Sequence, residues 1–230
     1  MAARPLVHGH RGARAVLPEN TIPAFEYAIQ VGADAVEMDV AVSSDNIPVI
    51  SHDPHIDSGA AIHQLTVAEL RLPTLDQVLS LSTGNQVHFN IEIKSFPDHP
   101  ELTPPPGIFA AMVLEVIRKH RLESRSIVQS FDFRILREMK RIAPAIRLAA
   151  LWEGPARPFV EIAHDAGAGI IAPEFTLVAP EQVRAAHAAK LEVIPWTANT
   201  PADWRKLIDA GVDAIITDDP AALISYLKRN

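Results

Sequence analysis

The chain predicts an α/β fold in which a parallel sheet of eight strands closes into a (β/α)8 barrel with helices outside. Three observations predict it. Short apolar, β-branched runs alternate with longer helix-like segments along the whole chain. Several helical segments open on a proline in the first turn and close near a glycine, as at Gly32, Gly167 and Gly211. Polar residues collect near the C-terminal ends of the apolar runs, and that end of such a barrel carries the active site. No flexible linker divides the sequence, so residues 1–230 read as one domain.

The expected strands are Leu6–His10, Ala35–Val40, Pro48–His52, His88–Lys94, Ile127–Ser130, Arg147–Leu151, Ile170–Pro173, Glu192–Trp196 and Ala214–Thr217. Between them lie helical patterns at Ile22–Val31, Thr74–Ser82, Pro106–His120, Phe133–Ile142, Pro158–Ala166, Pro180–Ala189, Pro201–Ala210 and Pro220–Lys228. No helix fits between Glu37 and His52, and Ser43-Ser44-Asp45-Asn46 reads as a turn. The second and third runs therefore form a hairpin that returns His52 beside Glu37 and Asp39, and one of the runs is extra to the barrel. The least regular stretches are Asp53–His63 and Phe96–Pro106, the latter with five prolines.

Composition sets limits on function. Apolar residues make up 48% and charged residues 21% of 230 residues, as in ordinary globular proteins. A net charge of −7 leaves no basic face for nucleic acid. With no cysteine, disulfides, thiolate metal sites and cysteine nucleophiles are ruled out. The start, Met1 to Val7, leaves no room for a signal-peptide core before His8, and no apolar run is long enough for stable insertion in a bilayer. The expected location is the cytoplasm. Homo-oligomerisation is left open.

Chemistry concentrates between His8 and Pro54, in His8-Gly9-His10-Arg11-Gly12, Pro18-Glu19-Asn20-Thr21, Glu37-Met38-Asp39-Val40 and His52-Asp53-Pro54. Buried charges are costly unless paired or bound to a metal. The period of two puts Glu37 and Asp39 on one strand face, and Asn90, Glu92 and Lys94 on one face of another. Glu37, Asp39 and Glu92 are thus candidate ligands for a divalent cation, Mg²⁺, Ca²⁺ or Mn²⁺, as oxygen donors suit hard ions. The competing reading pairs these acids with Lys94 and Arg11.

His10 and His52 are the candidate acid/base pair, because imidazole titrates near neutrality. His8 lies deeper and reads as structural. His55, His63, His99, His120, His164 and His187 read as surface residues. Arg11 and Lys94 are candidate phosphate contacts. Glu19 is either a site residue or an acid favoured by a helix N-terminus, with Asn20 or Thr21 as the cap. Trp196 reads as an aromatic wall for a substrate's alcohol part or as core packing. Asp218 or Asp219 reads as a cap of the last helix. No dinucleotide loop, phosphate loop or serine elbow is present.

These motifs resemble the glycerophosphodiester phosphodiesterase family. The likeness rests on His10-Arg11-Gly12, Pro18-Glu19-Asn20-Thr21, Glu37-Met38-Asp39-Val40, His52-Asp53-Pro54, Pro73-Thr74-Leu75, Glu92-Ile93-Lys94, Ser130-Phe131-Asp132, Pro195-Trp196-Thr197-Ala198-Asn199 and Ile216-Thr217-Asp218, in order over nearly the whole chain. The resemblance implies a TIM barrel that splits small-molecule glycerophosphodiesters into sn-glycerol 3-phosphate and an alcohol. It implies a metal on Glu37, Asp39 and Glu92, His10 and His52 as acid and base, and Arg11 and Lys94 on the phosphate. It further implies attack on phosphorus by the substrate's own glycerol hydroxyl, then opening of a cyclic phosphate by water.

The chain departs from the family in a shortened insertion after the third strand, where only Leu65–Leu70 separates a short loop from Leu72-Pro73-Thr74-Leu75. The expectation is an open site that accepts varied alcohols. Ala198 replaces a common valine without evident consequence. Two alternatives stand beside this reading. A phospholipase of the same barrel superfamily, acting on membrane lipid, fits poorly with the acidic charge. A non-catalytic phosphate- or metal-binding barrel would lack one of the histidines or carboxylates, and all are present.

Overall fold

The computed structural model describes residues 4–229. Its architecture follows from strand parity. In β2 (Ala35–Val42) and β4 (His88–Ile93), Val36, Met38, Val40, Phe89, Ile91 and Ile93 join the core beneath the helices. The intervening Glu37, Asp39, Asn90 and Glu92 point into the barrel, where they are also buried.

The other strands are β1 (Leu6–Gly9), β3 (Pro48–Ile50), β5 (Ser126–Ser130), β6 (Arg147–Trp152), β7 (Ile170–Pro173), β8 (Glu192–Val193) and β9 (Ala214–Thr217). Eight of them run parallel in the order β8-β7-β6-β5-β4-β2-β1-β9, while β3 pairs antiparallel with β2. The hairpin and the extra strand are therefore as expected, with Asn46 in the turn at φ 63°. Three hydrogen bonds draw the outer strands together: Asp213 N–H to the Val193 carbonyl (3.0 Å), Ile216 N–H to Pro195 (3.0 Å) and Ala198 N–H to Ile216 (3.1 Å). Strand β8 stops at Val193 rather than reaching Trp196, because Pro195 has no N–H to continue the ladder. Trp196 N–H still donates to the Pro173 carbonyl at 3.1 Å, which keeps that residue beside β7.

Helices α1 (Ile22–Gln30), α3 (Leu75–Ser80), α4 (Pro106–Lys119), α5 (Phe133–Ile142), α6 (Phe159–Ala166), α7 (Pro180–Ala188), α8 (Pro201–Ala210) and α9 (Pro220–Leu227) cover the barrel, and α2 (Val67–Leu70) is a single turn. Thr21 and Asp219 take the caps expected of the first and last helices, and Thr74, Asp132 and Thr200 also cap through their side chains. Helix α4 shows how such a face is held. It buries Phe109, Ala110, Val113, Leu114 and Ile117 at helical spacing. Truncating the fully buried Phe109 to alanine would cost about 3–5 kcal/mol.

Inside the barrel the two halves differ. Ile127, Leu151, Ile170, Ile194 and Ile216 make an apolar plug on one side. His8, Glu37, Asp39, Asn90, Glu92 and Gln129 make a buried polar side. The segment after Pro54 forms a small shelf, with Ile62 and Leu70 packed on Ala41 and Val49 of the hairpin. Two histidines expected on the surface are partly buried instead. His120 Nε2 lies 2.8 Å from Asp76 with 17% of its side chain exposed, and His63 Nδ1 lies 3.1 Å from the Val42 carbonyl. Charged and carbonyl partners within reach draw both rings inward. Among the described residues, no helix is long and apolar enough to cross a membrane.

Candidate active site

The site lies where β1, β2 and β4 end. After β1 the chain doubles back, and two glycines permit it. A Cβ on Gly9 would sit 2.2 Å from the Gly12 carbonyl oxygen, and one on Gly12, at φ +84°, would sit 2.6 Å from the Ala24 backbone. The fold-back lets Asn20 N–H donate to the Arg11 carbonyl (3.0 Å) and Arg11 N–H donate to Glu37 Oε2 (2.9 Å). His10 and Arg11 are thereby carried over the inward-facing acids of β2.

Glu37, Asp39 and Glu92 each offer an oxygen within 4.8 Å of the others, and all three are buried. Asp39 is the best compensated. Burial opposes its charge, but Lys94 at 3.8 Å, Arg11 Nε at 3.1 Å and the Asn20 amide at 3.0 Å hold it below the usual carboxylate range. Burial and the charges of Asp39 and Glu92 push Glu37 well above that range, despite the Arg11 N–H and a Gln129 amide at 3.1 Å. Glu92 is pushed up to about 7 by burial and by Asp39, with Lys94 at 2.8 Å only partly opposing. The cluster thus holds more negative charge than its neighbours neutralise. Three hard oxygen donors so arranged fit a divalent cation such as Mg²⁺, Ca²⁺ or Mn²⁺. Arg11 and Lys94, the competing partners, satisfy Asp39 and Glu92 but leave Glu37 without a cation in direct side-chain contact.

His10 stands just past β1 with its Nδ1 2.6 Å from Asp218 Oδ1, so its Nε2 is directed to the carboxylate side, 4.0 Å from Glu37. Burial opposes the charge of Asp218, but the hydrogen bond and charge of His10, the charge of Arg14 and the Asn199 amide at 2.8 Å together hold it below the usual carboxylate range. An ionised Asp218 can only accept, so His10 carries a proton on Nδ1, and Nε2 is the nitrogen left facing the carboxylates. His52 follows the short β3, with Nδ1 2.8 Å from Asp53. Ser51 N–H donates to the Asp39 carbonyl at 3.0 Å, which holds the hairpin end beside the acids. His10, Arg11, Glu37, His52, Glu92 and Lys94 all line one cavity of about 520 Å³.

Glu19 acts on the arginines: it takes Arg11 Nη1 at 2.7 Å and Arg14 Nε at 2.9 Å. Trp196 lines the cavity's far side, its Nε1–H donating to the Ala172 carbonyl at 2.8 Å. His8 lies away from the cavity, 2% exposed in the barrel floor, with a side-chain Nδ1 that has no hydrogen-bond partner. Burial, with Arg147 nearby, lowers its pKa to about 4.

Sequence reasoning does not single out Asp218, Asn20 and Gln129 as site residues. Asp218 shares a doublet with Asp219, and one acid suffices to cap a helix; Asp219 takes that task, accepting from Ala222 N–H at 2.9 Å. Asn20 yields the cap to Thr21 and binds Asp39 instead. Gln129 is a polar residue at an inward position of an apolar strand, the same signal that marks Glu92.

The sequence signature of the glycerophosphoryl diester phosphodiesterase family matches residues 10–222. A glycerophosphodiester phosphodiesterase of Caldanaerobacter subterraneus subsp. tengcongensis is 32% identical, over 98% of this chain and 99% of its own. A glycerophosphodiester phosphodiesterase structure from Thermotoga maritima is 28% identical with a TM-score of 0.80, over 98% of this chain and 99% of its own. An Oleispira antarctica phosphodiesterase, solved with the product sn-glycerol-3-phosphate, is 25% identical with a TM-score of 0.87, over 98% of this chain and 97% of its own. The signature over nearly the whole length and the 32% identity with a full-length relative decide the assignment: the chain belongs to the glycerophosphoryl diester phosphodiesterase family.

Proposed function

We propose that this phosphodiesterase hydrolyses glycerophosphodiesters to sn-glycerol 3-phosphate and an alcohol, with a divalent cation on Glu37, Asp39 and Glu92 and with His10 and His52 as the proton-transfer pair. The observation that carries the proposal is the undercompensated carboxylate cluster, whose oxygens lie within 4.8 Å of one another in a cavity flanked by two carboxylate-backed histidines. The product seen in the Oleispira antarctica relative supports the choice of substrate.

When bound, the cation would supply positive charge against a phosphoryl oxygen. Everything else is work for side chains. Arg11 and Lys94 hold the diester's remaining negative charge, and Glu19 and Asp39 fix the reach of Arg11. One histidine takes the proton from the substrate's glycerol hydroxyl as that oxygen bonds to phosphorus. The other gives a proton to the alcohol oxygen as its bond to phosphorus breaks. In the second half water attacks the cyclic phosphate, the proton flow runs in reverse, and sn-glycerol 3-phosphate leaves. Asp218 and Asp53 keep each ring oriented for this exchange. No serine, threonine or cysteine in the cavity is needed as nucleophile. The net charge of −7 favours small-molecule diesters over the anionic surface of a bilayer, and the cytoplasm is the location proposed for that work.

Incubation with glycerophosphocholine, coupled to glycerol 3-phosphate detection, tests the reading. Product should form, stop on chelation and return with Mg²⁺, Ca²⁺ or Mn²⁺. Lack of chelator-sensitive product from several glycerophosphodiesters would sink it.

A further inference from the structure

The side of the cavity facing away from the carboxylates has its own chemistry. Phe131 and Trp196 line it together with Leu151 and Glu153. The Phe131 and Trp196 rings meet edge to face, with centroids 5.6 Å apart and planes at 90°. They form two walls of a corner rather than a flat stack. Both walls are braced. Trp196 is tied by its indole N–H to the Ala172 carbonyl at 2.8 Å. Phe131 stands between Ser130, whose hydroxyl donates to the Ile93 carbonyl at 2.8 Å, and Asp132, which accepts from Ser95 at 2.7 Å. An apolar ring held 39% exposed by so much anchoring is poorly explained by core packing.

Glu153 follows β6 at the same rim. It is exposed and has no ion pair or hydrogen bond among the described residues. The nearest candidate cation in sequence, Arg157, is engaged elsewhere, 5.5 Å over the Trp152 ring and 2.9 Å from Asp165. The two sides of the cavity therefore differ. Arg11, Lys94 and the histidines stand with Glu37 and Glu92 on one side, and ring faces with a free carboxylate occupy the other.

We propose that the Phe131–Trp196 corner and Glu153 select diesters whose alcohol carries an ammonium group. This rests on the glycerophosphodiester reading above and names the alcohol class that reading leaves open. A cation on a ring face gains from the ring quadrupole in addition to apolar contact, and an anion opposite strengthens its hold. A neutral alcohol gains only the apolar contact, and an anionic one is repelled by Glu153. The diester's phosphate and ammonium then match the two sides of the cavity. On this inference the site would discriminate among alcohols, in place of the indifference expected from a shortened insertion.

The test compares kcat/KM for glycerophosphocholine with that for its uncharged carbon isostere, glycerophospho-3,3-dimethylbutanol. The native enzyme should favour the charged ester about tenfold, mostly through KM. Glu153→Gln and Phe131→Leu should each shrink that ratio about threefold, with melting temperature as the check on folding. Tetramethylammonium should inhibit the native enzyme competitively, and tert-butanol at equal concentration should not. A ratio near one in the native enzyme, or a ratio that neither variant moves, overturns the inference and leaves the parent reading standing. If neither ester is cleaved, both readings fall together.

Discussion

His8 and His10 leave the same strand on the same face, two residues apart, and meet opposite fates. His10 reaches the mouth of the barrel, where Asp218 lies 2.6 Å from one nitrogen and the other is directed to the carboxylates. His8 stays in the floor, 2% exposed, its Nδ1 without a partner and its charged form suppressed by burial and Arg147. Residue type and parity are identical, so depth along the strand alone decides the role. The mouth provides anionic partners and solvent access. In the floor burial and Arg147 outweigh the charge of Asp34, and there an imidazole persists only as a neutral filler. Mouth residues should therefore govern rate, and floor residues should govern stability.

The largest effect belongs to the mouth. His10→Ala and His52→Ala should each lower kcat by about 10²- to 10⁴-fold, the worth of a positioned proton-transfer group. Neither should move the thermal midpoint much, since both side chains line a cavity and not the core. Steady-state rates and melting curves on the same samples decide it. Near-native turnover in both variants would remove the histidines from the mechanism. A collapsed midpoint would make the mouth a structural region after all.

Next comes the floor. The His8 pKa is about 4 in the folded chain against 6.5 when exposed. Between those values the unfolded chain takes up a proton that the native state refuses. Stability from this residue is thus complete above pH 6.5 and is lost as pH falls toward 4. The difference amounts to about 3 kcal/mol. Urea titrations at pH 7.5 and 4.5 measure it. His8→Phe should lose less stability across that interval than the native chain by about this amount, and should keep its kcat at neutral pH. Parallel acid sensitivity in the two proteins would end the floor half of the comparison.

The same contrast explains which parts of the molecule are legible in the sequence. Strands and helices follow from alternation and proline–glycine punctuation, because these act within a few residues. Glu37, Asp39, Glu92, His10 and His52 are legible because each is a polar group at an inward position near the end of an apolar run. Asp218 is not, because its partner lies 208 positions away and a capping role explains it equally well. Asn20 is hidden in the same way by a choice between two cap residues, which only the fold-back at Gly9 and Gly12 settles. The end of β8 falls short of the expected Trp196 since a side-chain pattern does not show that Pro195 breaks the ladder. Local rules show which groups are out of place. Closure of the barrel decides what they meet.

Metal binding sharpens the mouth half with a smaller effect. A cation on Glu37, Asp39 and Glu92 would compete with protons, because Glu92 is pushed up to about 7 and Glu37 is raised well above the usual carboxylate range by burial beside Asp39 and Glu92. Affinity should therefore rise with pH through that region and fall as the acids protonate. At pH 8, a cation at a hundred times its Kd should add about 2.7 kcal/mol to stability, seen as a higher midpoint that chelator reverses. Glu37→Gln should abolish the increment. A midpoint indifferent to Mg²⁺, Ca²⁺ and Mn²⁺ in the native enzyme would return the cluster to Arg11 and Lys94 as a plain ion-pair network.

The smallest effect tests what distinguishes His10 from His8 most directly. Asp218 touches neither the carboxylate cluster nor Arg11 and Lys94; it holds His10 and is itself held by Asn199 at 2.8 Å. Asp218→Asn keeps the shape but replaces a charge-assisted hydrogen bond with a neutral one. The loss of about 1.5 kcal/mol corresponds to roughly tenfold in rate. Because Asp218 positions the ring and does not bind substrate, the loss should fall on kcat, with KM nearly unchanged. Asn199→Ala, one bond further out, should show the same pattern more weakly. If KM rises instead while kcat holds, Asp218 is shaping the cavity, and the carboxylate partner is not what makes a mouth histidine different from one in the floor.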